Sequence, residues 1–594
     1  VYINRQTIDA GTSDVTITGT ATDGSGTFIN GASTIRGRNV TIGGTSNTSA
    51  SNKSGTGVYL YRDNTTTIAA TNNLDITGTV TGTGTGNGLR SNGGNVGTAI
   101  LMTAGATATL KGIQRGNANN TSSAVYLSGF RVNATGDVTI QAEAANSNSL
   151  AIYMNREAGS LNGYDDWRMQ VRSTNGNVLI QSNQGSILGQ DISGGVNISG
   201  RNVTLDNTGA GMTINGVPNA NGGSIDATTG AITLGSGPST YSTAVANGWA
   251  GSWVPLGVSL NGQNSTASVT ATGNLTIGGS SSAAQGVVIG TAMSVAGNIN
   301  LAGSSANAAN NALDINASLT STGGNITLSA DTLKIGAAVK AGSTGANTVT
   351  LKTVTAAKKI DIGSGTGVSG VDATGTLGLS STELNFITAG NLVVGDATNT
   401  GGIKVSAATT TNATTGNLTL LNGGNIAIDG ALTVGGATPT KNLTLNGAGI
   451  TSAITQSAAI KAAGLELLGS KATHTLNNSS NDIKKLAGNT KTASVTNNVN
   501  FSIDTVNTVG LTTSGTTTLS STATVTQTQA INAAGLELQG TNGTHNLNNA
   551  NNTIQKLAGN TGTVSLTNKG DLEISTVNIT DGLTTTGKTT INTT

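Results

Sequence analysis

Two stretches of this 594-residue sequence hold the residue types best suited to chemistry. The first contains Tyr153, Arg156, Tyr164, Asp165, Asp166, Trp167 and Arg168; the second contains Trp249 and Trp253, with Tyr241 and Pro255 close by. Aromatic rings beside carboxylates and guanidinium groups suit a sugar, because rings stack on its C–H faces while polar groups bond its hydroxyls. These residues, from Tyr153 to Trp253, form the expected ligand-binding set. The competing reading is a pair of loops that fold over the body, cover apolar surface and pair their own charges. Asp165–Asp166 is the nearest approach to a carboxylate pair for glycoside cleavage. Adjacent residues on a strand point to opposite faces, and no second acid cluster completes a site, so the chain does not read as an enzyme.

Other chemistry is excluded more simply. The sequence has no Cys, which removes disulfides, thiolate nucleophiles, Cys-ligated zinc and iron–sulfur clusters. His474 and His545 are the two histidines, at equivalent places 71 residues apart. If that spacing is three stacked coils of about 4.8 Å, the rings lie roughly 14 Å apart and share no ion. Two exposed turn histidines are expected, with no metal and no cofactor. A formal net charge of +1 gives no basic field for nucleic acid. No run of 18 apolar residues occurs to span a bilayer as a helix.

The elements that must position these residues follow from composition and pattern. Gly is 86 residues, charged residues are 9% and aromatics 2%. That mixture excludes four ordinary globular domains, whose cores rely on aromatic burial. A Gly-Asn or Gly-Asp followed by an apolar–polar–apolar triplet recurs instead. It is found at Val15-Thr16-Ile17, Val40-Thr41-Ile42, Leu74-Asp75-Ile76, Val138-Thr139-Ile140, Val178-Leu179-Ile180, Val203-Thr204-Leu205 and Ile232-Thr233-Leu234. It continues at Leu275-Thr276-Ile277, Ile299-Asn300-Leu301, Ile326-Thr327-Leu328, Val349-Thr350-Leu351, Leu418-Thr419-Leu420 and Leu443-Thr444-Leu445. Such alternation is a half-buried strand, and Gly and Asn before it are expected to supply turns with positive φ. The stretch with helical spacing, Ala458–Leu468, is interrupted by Gly464. A period of about 24 residues holding two or three short strands predicts an all-β, right-handed parallel β-helix, a solenoid of roughly 25 coils and 120 Å.

Residues 1–265 read as a decorated β-helix with long loops at about 141–172 and 235–262. All eleven Arg and twelve of the fourteen aromatics lie before residue 254. Residues 266–457 read as a plain shaft, and 458–594 as a shaft with tandem 71-residue repeats. In the repeats, Ala463-Gly464-Leu465-Glu466-Leu467 is matched by Ala534-Gly535-Leu536-Glu537-Leu538. The chain opens on Val1 without a basic leader and closes in mid-pattern, as a mature segment or fragment would. Open coil ends expose strand edges, so a continuing chain or end-to-end and lateral self-association is expected.

The runs Ala271-Thr272-Gly273-Asn274-Leu275-Thr276-Ile277, Val295-Ala296-Gly297-Asn298-Ile299-Asn300-Leu301 and Ser321-Thr322-Gly323-Gly324-Asn325-Ile326-Thr327-Leu328 resemble the filamentous-haemagglutinin-like exoproteins of Gram-negative bacteria. The resemblance covers most of the chain at the level of its repeat. It implies a protein exported unfolded through a dedicated outer-membrane partner, and a role as a secreted or cell-surface adhesin or biofilm-matrix scaffold. Partners would be polysaccharides or cell-surface glycans and proteins. The family's Asn-Pro-Asn secretion motifs do not occur here. The competing readings are a β-helical polysaccharide lyase or tail-spike-like hydrolase, which should cluster charged residues on one face, and an autotransporter passenger.

Overall fold

The computed structural model describes residues 1–594 apart from 62, 93–98, 116–121, 145–149, 156–168, 184–185, 191–195, 202, 208–211, 217–223, 228–231, 240–257, 263–267, 272, 282–284, 291, 343–346, 365–370 and 374. Strands make up 63% and helix 2%, so the chain is all-β, as its alternation predicts. It divides into two compact units, Val1–Gly324 and Asn325–Thr594.

In the first unit the opening strands are β1 (Tyr2–Asn4), β2 (Thr7–Asp9), β3 (Val15–Thr22), β4 (Ser25–Asn30), β5 (Thr34–Gly37), β6 (Val40–Thr48), β7 (Ser54–Tyr61), β8 (Thr66–Ala70) and β9 (Leu74–Gly82). Each pairs in parallel with the third strand after it: β1 with β4 and β4 with β7, β2 with β5 and β5 with β8, β3 with β6 and β6 with β9. The same alternation runs on to Leu319–Ser321, giving three parallel sheets.

The triplets explain this arrangement. All thirteen lie in strands, and those of the first unit occupy one sheet. Val15, Val40, Leu74, Ala108, Val138, Val178, Val203, Ile232, Leu275 and Ile299 are successive register partners. In the rungs whose side chains are described, the first and third positions point inward and most are fully buried, as Val40, Ile42, Leu74, Ile76, Val138 and Ile140 are. Ala108-Thr109-Leu110 is a rung that the triplet series lacks. Successive rungs are 24 to 43 residues apart, so the spacing is less regular than a uniform 24-residue coil.

The Gly-Asn turn works differently from the expectation. Among the described residues, only Arg5, Asp23, Asn542 and Asn578 are non-glycine residues with positive φ. The motif's Asn and Asp act instead through their side-chain oxygens, which accept the backbone N–H of the next rung's turn. Asp14 takes that of Asn39 (3.3 Å), Asn39 that of Asn73 (3.2 Å), Asp137 that of Asn177 (2.7 Å) and Asn274 that of Asn298 (2.8 Å). A short side-chain carbonyl thus extends the ladder where strand pairing stops. The glycines before them sit where turn lies on turn; a Cβ on Gly176 or Gly297 would overlap the Gly136 or Gly273 backbone.

A second glycine column closes one corner of the first unit. A Cβ on Gly19, Gly44, Gly78, Gly112 or Gly303 would collide with the carbonyl of Gly26, Gly57, Gly88, Ala124 or Ala312 respectively. Backbone meets backbone there, and no side chain fits.

In the second unit one line of parallel rungs runs Ile326, Val349, Leu392, Leu418, Leu443, Leu465, Leu486. The stretch with helical spacing is strand from Ile460 onward, in Ile460–Leu476, with Ala458 and Ala459 before it. The single α-helix among the described residues is short, Ser381–Asn385, with a Ser380/Glu383 capping box. The tandem repeat is not three whole coils. His474 stands in register with Ala493, Ala493 with Thr517 and Thr517 with Leu536, 62 residues on. The nine residues left over carry the chain to the next line, so the second copy is turned by one face relative to the first.

Candidate functional site

The largest gathering of aromatic and cationic side chains among the described residues is a column on one sheet of the first unit. Tyr2, Phe28, Tyr59, Arg90, Tyr126 and Tyr153 are successive register partners. Their neighbours Ile3, Ile29, Val58, Leu60, Leu89, Val125, Leu127, Ile152 and Met154 are buried, and the two-residue period of a strand then turns the column outward. Tyr2 is 63% exposed and the others are half-buried.

Spacing between strands sets the stacking. Ring centroids are 5.3 Å apart for Tyr2–Phe28, with planes only 8° apart, 5.0 Å for Phe28–Tyr59 and 5.1 Å for Tyr126–Tyr153. Tyr61, in the adjoining outward position, stands edge-on to Tyr59 at 5.8 Å. The Arg90 guanidinium lies between two rings, 5.1 Å from the Tyr59 centroid and 5.3 Å from that of Tyr126. Aromatic pairs contribute about 0.5–1.5 kcal/mol each beyond their area, so the column also fastens its strands to one another. What it offers to solvent is a continuous strip of ring surface with one positive charge in the middle.

Of the residues expected to bind ligand, Tyr153 is the last ring of this column. Arg156, Tyr164, Asp165, Asp166, Trp167, Arg168, Trp249 and Trp253 lie outside the described residues. Sequence reasoning missed Tyr2, Phe28, Tyr59, Arg90 and Tyr126. The signal was present: Val58-Tyr59-Leu60, Val125-Tyr126-Leu127 and Ile152-Tyr153-Met154 are apolar–polar–apolar triplets with a tyrosine in the outward place.

Two other clusters bear on catalysis and metals. Asp372 and Glu383 are buried carboxylates. Asp372 accepts the Leu333 N–H (2.9 Å) and Glu383 the Ile335 N–H (3.2 Å), where a following strand would otherwise offer carbonyls. Burial pushes the Asp372 carboxyl up to about 7, with the Glu383 charge adding to it and the Leu333 N–H opposing. Buried, the pair completes a strand edge.

The expectation of exposed turn histidines is overturned. His474 and His545 are fully buried within the strands Ile460–Leu476 and Ile531–Leu547. Burial depresses both imidazoles to about 4, so each is neutral. His474 Nε2 donates to the Leu445 carbonyl (3.2 Å), and Nδ1 accepts from the Thr490 hydroxyl (3.0 Å). Among the described residues no group of three or more His, Cys, Asp or Glu could hold a metal ion. No family model matches this chain, and no curated protein or solved structure matches it either.

Proposed function

We propose that this protein is an extracellular or cell-surface adhesion protein, each of its units a right-handed parallel β-helix, with the aromatic–arginine column as a contact surface. Two observations and one general rule support the β-helix. Strands pair with the third strand along, every sheet in the first unit is parallel, and crossovers between parallel strands are right-handed in nearly all proteins. The observation that carries the contact reading is the column itself. Ring surface and an arginine left half-exposed on a stiff sheet are the residue types enriched where proteins meet partners. A scaffold of this kind would act by reach and repeated weak contact, on a polysaccharide or cell-surface glycan or protein, after export through an outer-membrane partner.

The test is attachment of protein-coated beads to bacterial and epithelial cell layers, comparing wild type with a Tyr59→Ala/Tyr126→Ala variant. Loss of attachment in a variant that keeps its β-sheet circular dichroism supports the reading. Equal attachment, or none by the wild type, defeats it.

A further inference from the structure

We propose that Arg90, clamped between Tyr59 and Tyr126, is a carboxylate-binding site for an acidic polysaccharide such as a polyuronate. The site belongs to the column read above as a contact surface, and rests on that reading for its place.

Among the described residues Arg90 has no counter-charge, unlike several other cations of its unit. In the same unit Arg5 pairs with Asp63, Arg38 with Asp14, and Lys111 and Arg115 with Glu143. Arg90 makes no ion pair among the described residues, and its buried Nε meets no acceptor. No acidic residue stands in the column. An uncompensated cation held this way attracts an anion, and the clamp decides how that anion approaches. The two tyrosine rings cover the faces of the guanidinium and exclude water from them. What remains open is its edge, a planar fork of N–H donors that matches a carboxylate with two parallel bonds. Because the stem is held by packing on both sides, little rotamer freedom is lost on binding.

Hydroxyl-rich polymers fit the surroundings better than acidic peptides. The strip of rings along successive strands offers C–H stacking to the residues on either side of the bound uronate.

The experiment is calorimetric titration of the full chain with polygalacturonate, its methyl ester and polyglutamate of matched length, using wild type, Arg90→Gln and Arg90→Lys. Polygalacturonate should bind wild type, and its ester about tenfold or more weakly, since the charge is gone. Arg90→Gln should lose a similar factor, and Arg90→Lys should fall between, keeping charge without the fork. Equal binding of acid and ester, equal binding by wild type and Arg90→Gln, or no binding of polygalacturonate overturns the proposal. Tighter binding of polyglutamate overturns the saccharide assignment. If Arg90→Gln fails to fold, the acid–ester comparison on wild type decides alone. Attachment that needs Tyr59 and Tyr126 but resists competing polygalacturonate would sink this site and leave the contact surface standing. Polygalacturonate binding without cell attachment would do the reverse.

Discussion

Glu466 and Glu537 occupy the same place in two copies of one sequence, as do His474 and His545, yet the first pair has matched surroundings and the second does not. Glu466 accepts from the Thr444 hydroxyl (2.8 Å), the Asn507 amide (2.9 Å) and the Thr508 N–H (2.7 Å). Glu537 accepts from the Thr518 hydroxyl (2.7 Å), the Asn578 amide (2.7 Å) and Gln539 (3.0 Å). Burial alone would raise both carboxyls, but these bonds outweigh it and hold them below their ordinary range. Asn507 and Thr508 in the first copy and Asn578 in the second arrive on a small hairpin, bridged at Thr505–Val509 and Val577–Thr580. The histidines diverge in both partners, one from outside the repeat and one, Thr490, from inside it. His474 bonds Leu445, in the strand laid down before the first copy. His545 is approached by the Gln539 backbone, but neither ring nitrogen closes a hydrogen bond of good geometry. Thr561 keeps the two backbone bonds that its counterpart Thr490 makes, here to the Gly540 and Gly543 carbonyls, but does not bond the ring. Duplication therefore preserves the hairpin contacts of the glutamates but neither contact of His474, the one with the preceding strand or the one with Thr490 inside the copied segment.

The strongest way to test this comparison is to remove an interaction that both copies own. Asn481 and Asn552 each accept from the first strand residue, Ile460 or Ile531, at 2.8 Å, and donate to Thr496 or Thr567 at 2.9 Å. Asn481→Ala and Asn552→Ala should each cost about 3 kcal/mol, because several buried backbone groups lose their partner at once. Amide hydrogen exchange over 460–476 and 531–547 should show equal losses of protection in the two variants. Next in size, Glu466→Gln and Glu537→Gln should each cost about 2 kcal/mol and free their hairpins. Limited proteolysis at 505–509 and 577–580 reads this directly; a large difference between copies would contradict matched surroundings.

The histidines should part company. His474→Leu removes two hydrogen bonds and should cost about 1–2 kcal/mol, whereas His545→Leu removes an unsatisfied polar ring and should be neutral or stabilising. Thermal melts of the two variants decide between these outcomes. A further difference is pH-dependent. With folded pKa values about 4 against 6.5 unfolded, both histidines contribute stability that is present above pH 6.5 and lost as pH falls towards 4. Asp372 has the opposite sign: its carboxyl is raised from 3.8 to about 7, so its contribution is present below about pH 4 and lost as pH rises to 7. Relative to the intrinsic exchange rate at each pH, protection at His474 and His545 should fall with acid while that at Leu333 and Ile335 rises. His545→Leu should remove the acid sensitivity of the second copy alone.

How much of this was legible in the sequence depends on what each residue touches. The triplets were legible because burial of Val40, Ile42, Leu74 and Ile76 depends only on a strand's own two-residue period. The column of Tyr59, Arg90 and Tyr126 was not, because intervals of 31 and 36 residues hide a register that only pairing reveals. Asn39 and Asn73 were read as turn formers because their oxygens act on the next rung, which sequence does not place. His474 and His545 were misplaced for a related reason. A 71-residue offset reads as whole coils until the nine-residue remainder is seen. The short helix Ser381–Asn385 was missed because one turn, held by a Ser–Glu capping box, leaves no periodic trace. For the expected loop residues from Arg156 to Trp253, the described residues hold no counterpart.

The glycine column at the corner of the first unit has a consequence for how such a chain changes. Gly19 meets Gly26, Gly44 meets Gly57, Gly78 meets Gly88 and Gly112 meets Ala124, with segments of unequal length between the members of each pair. Each contact pins the two feet of its segment together, so the next strand begins at the same place whatever is inserted between them. Length at that corner is thereby uncoupled from register. New sequence can be added there, rung by rung, without disturbing the sheet that carries Arg90.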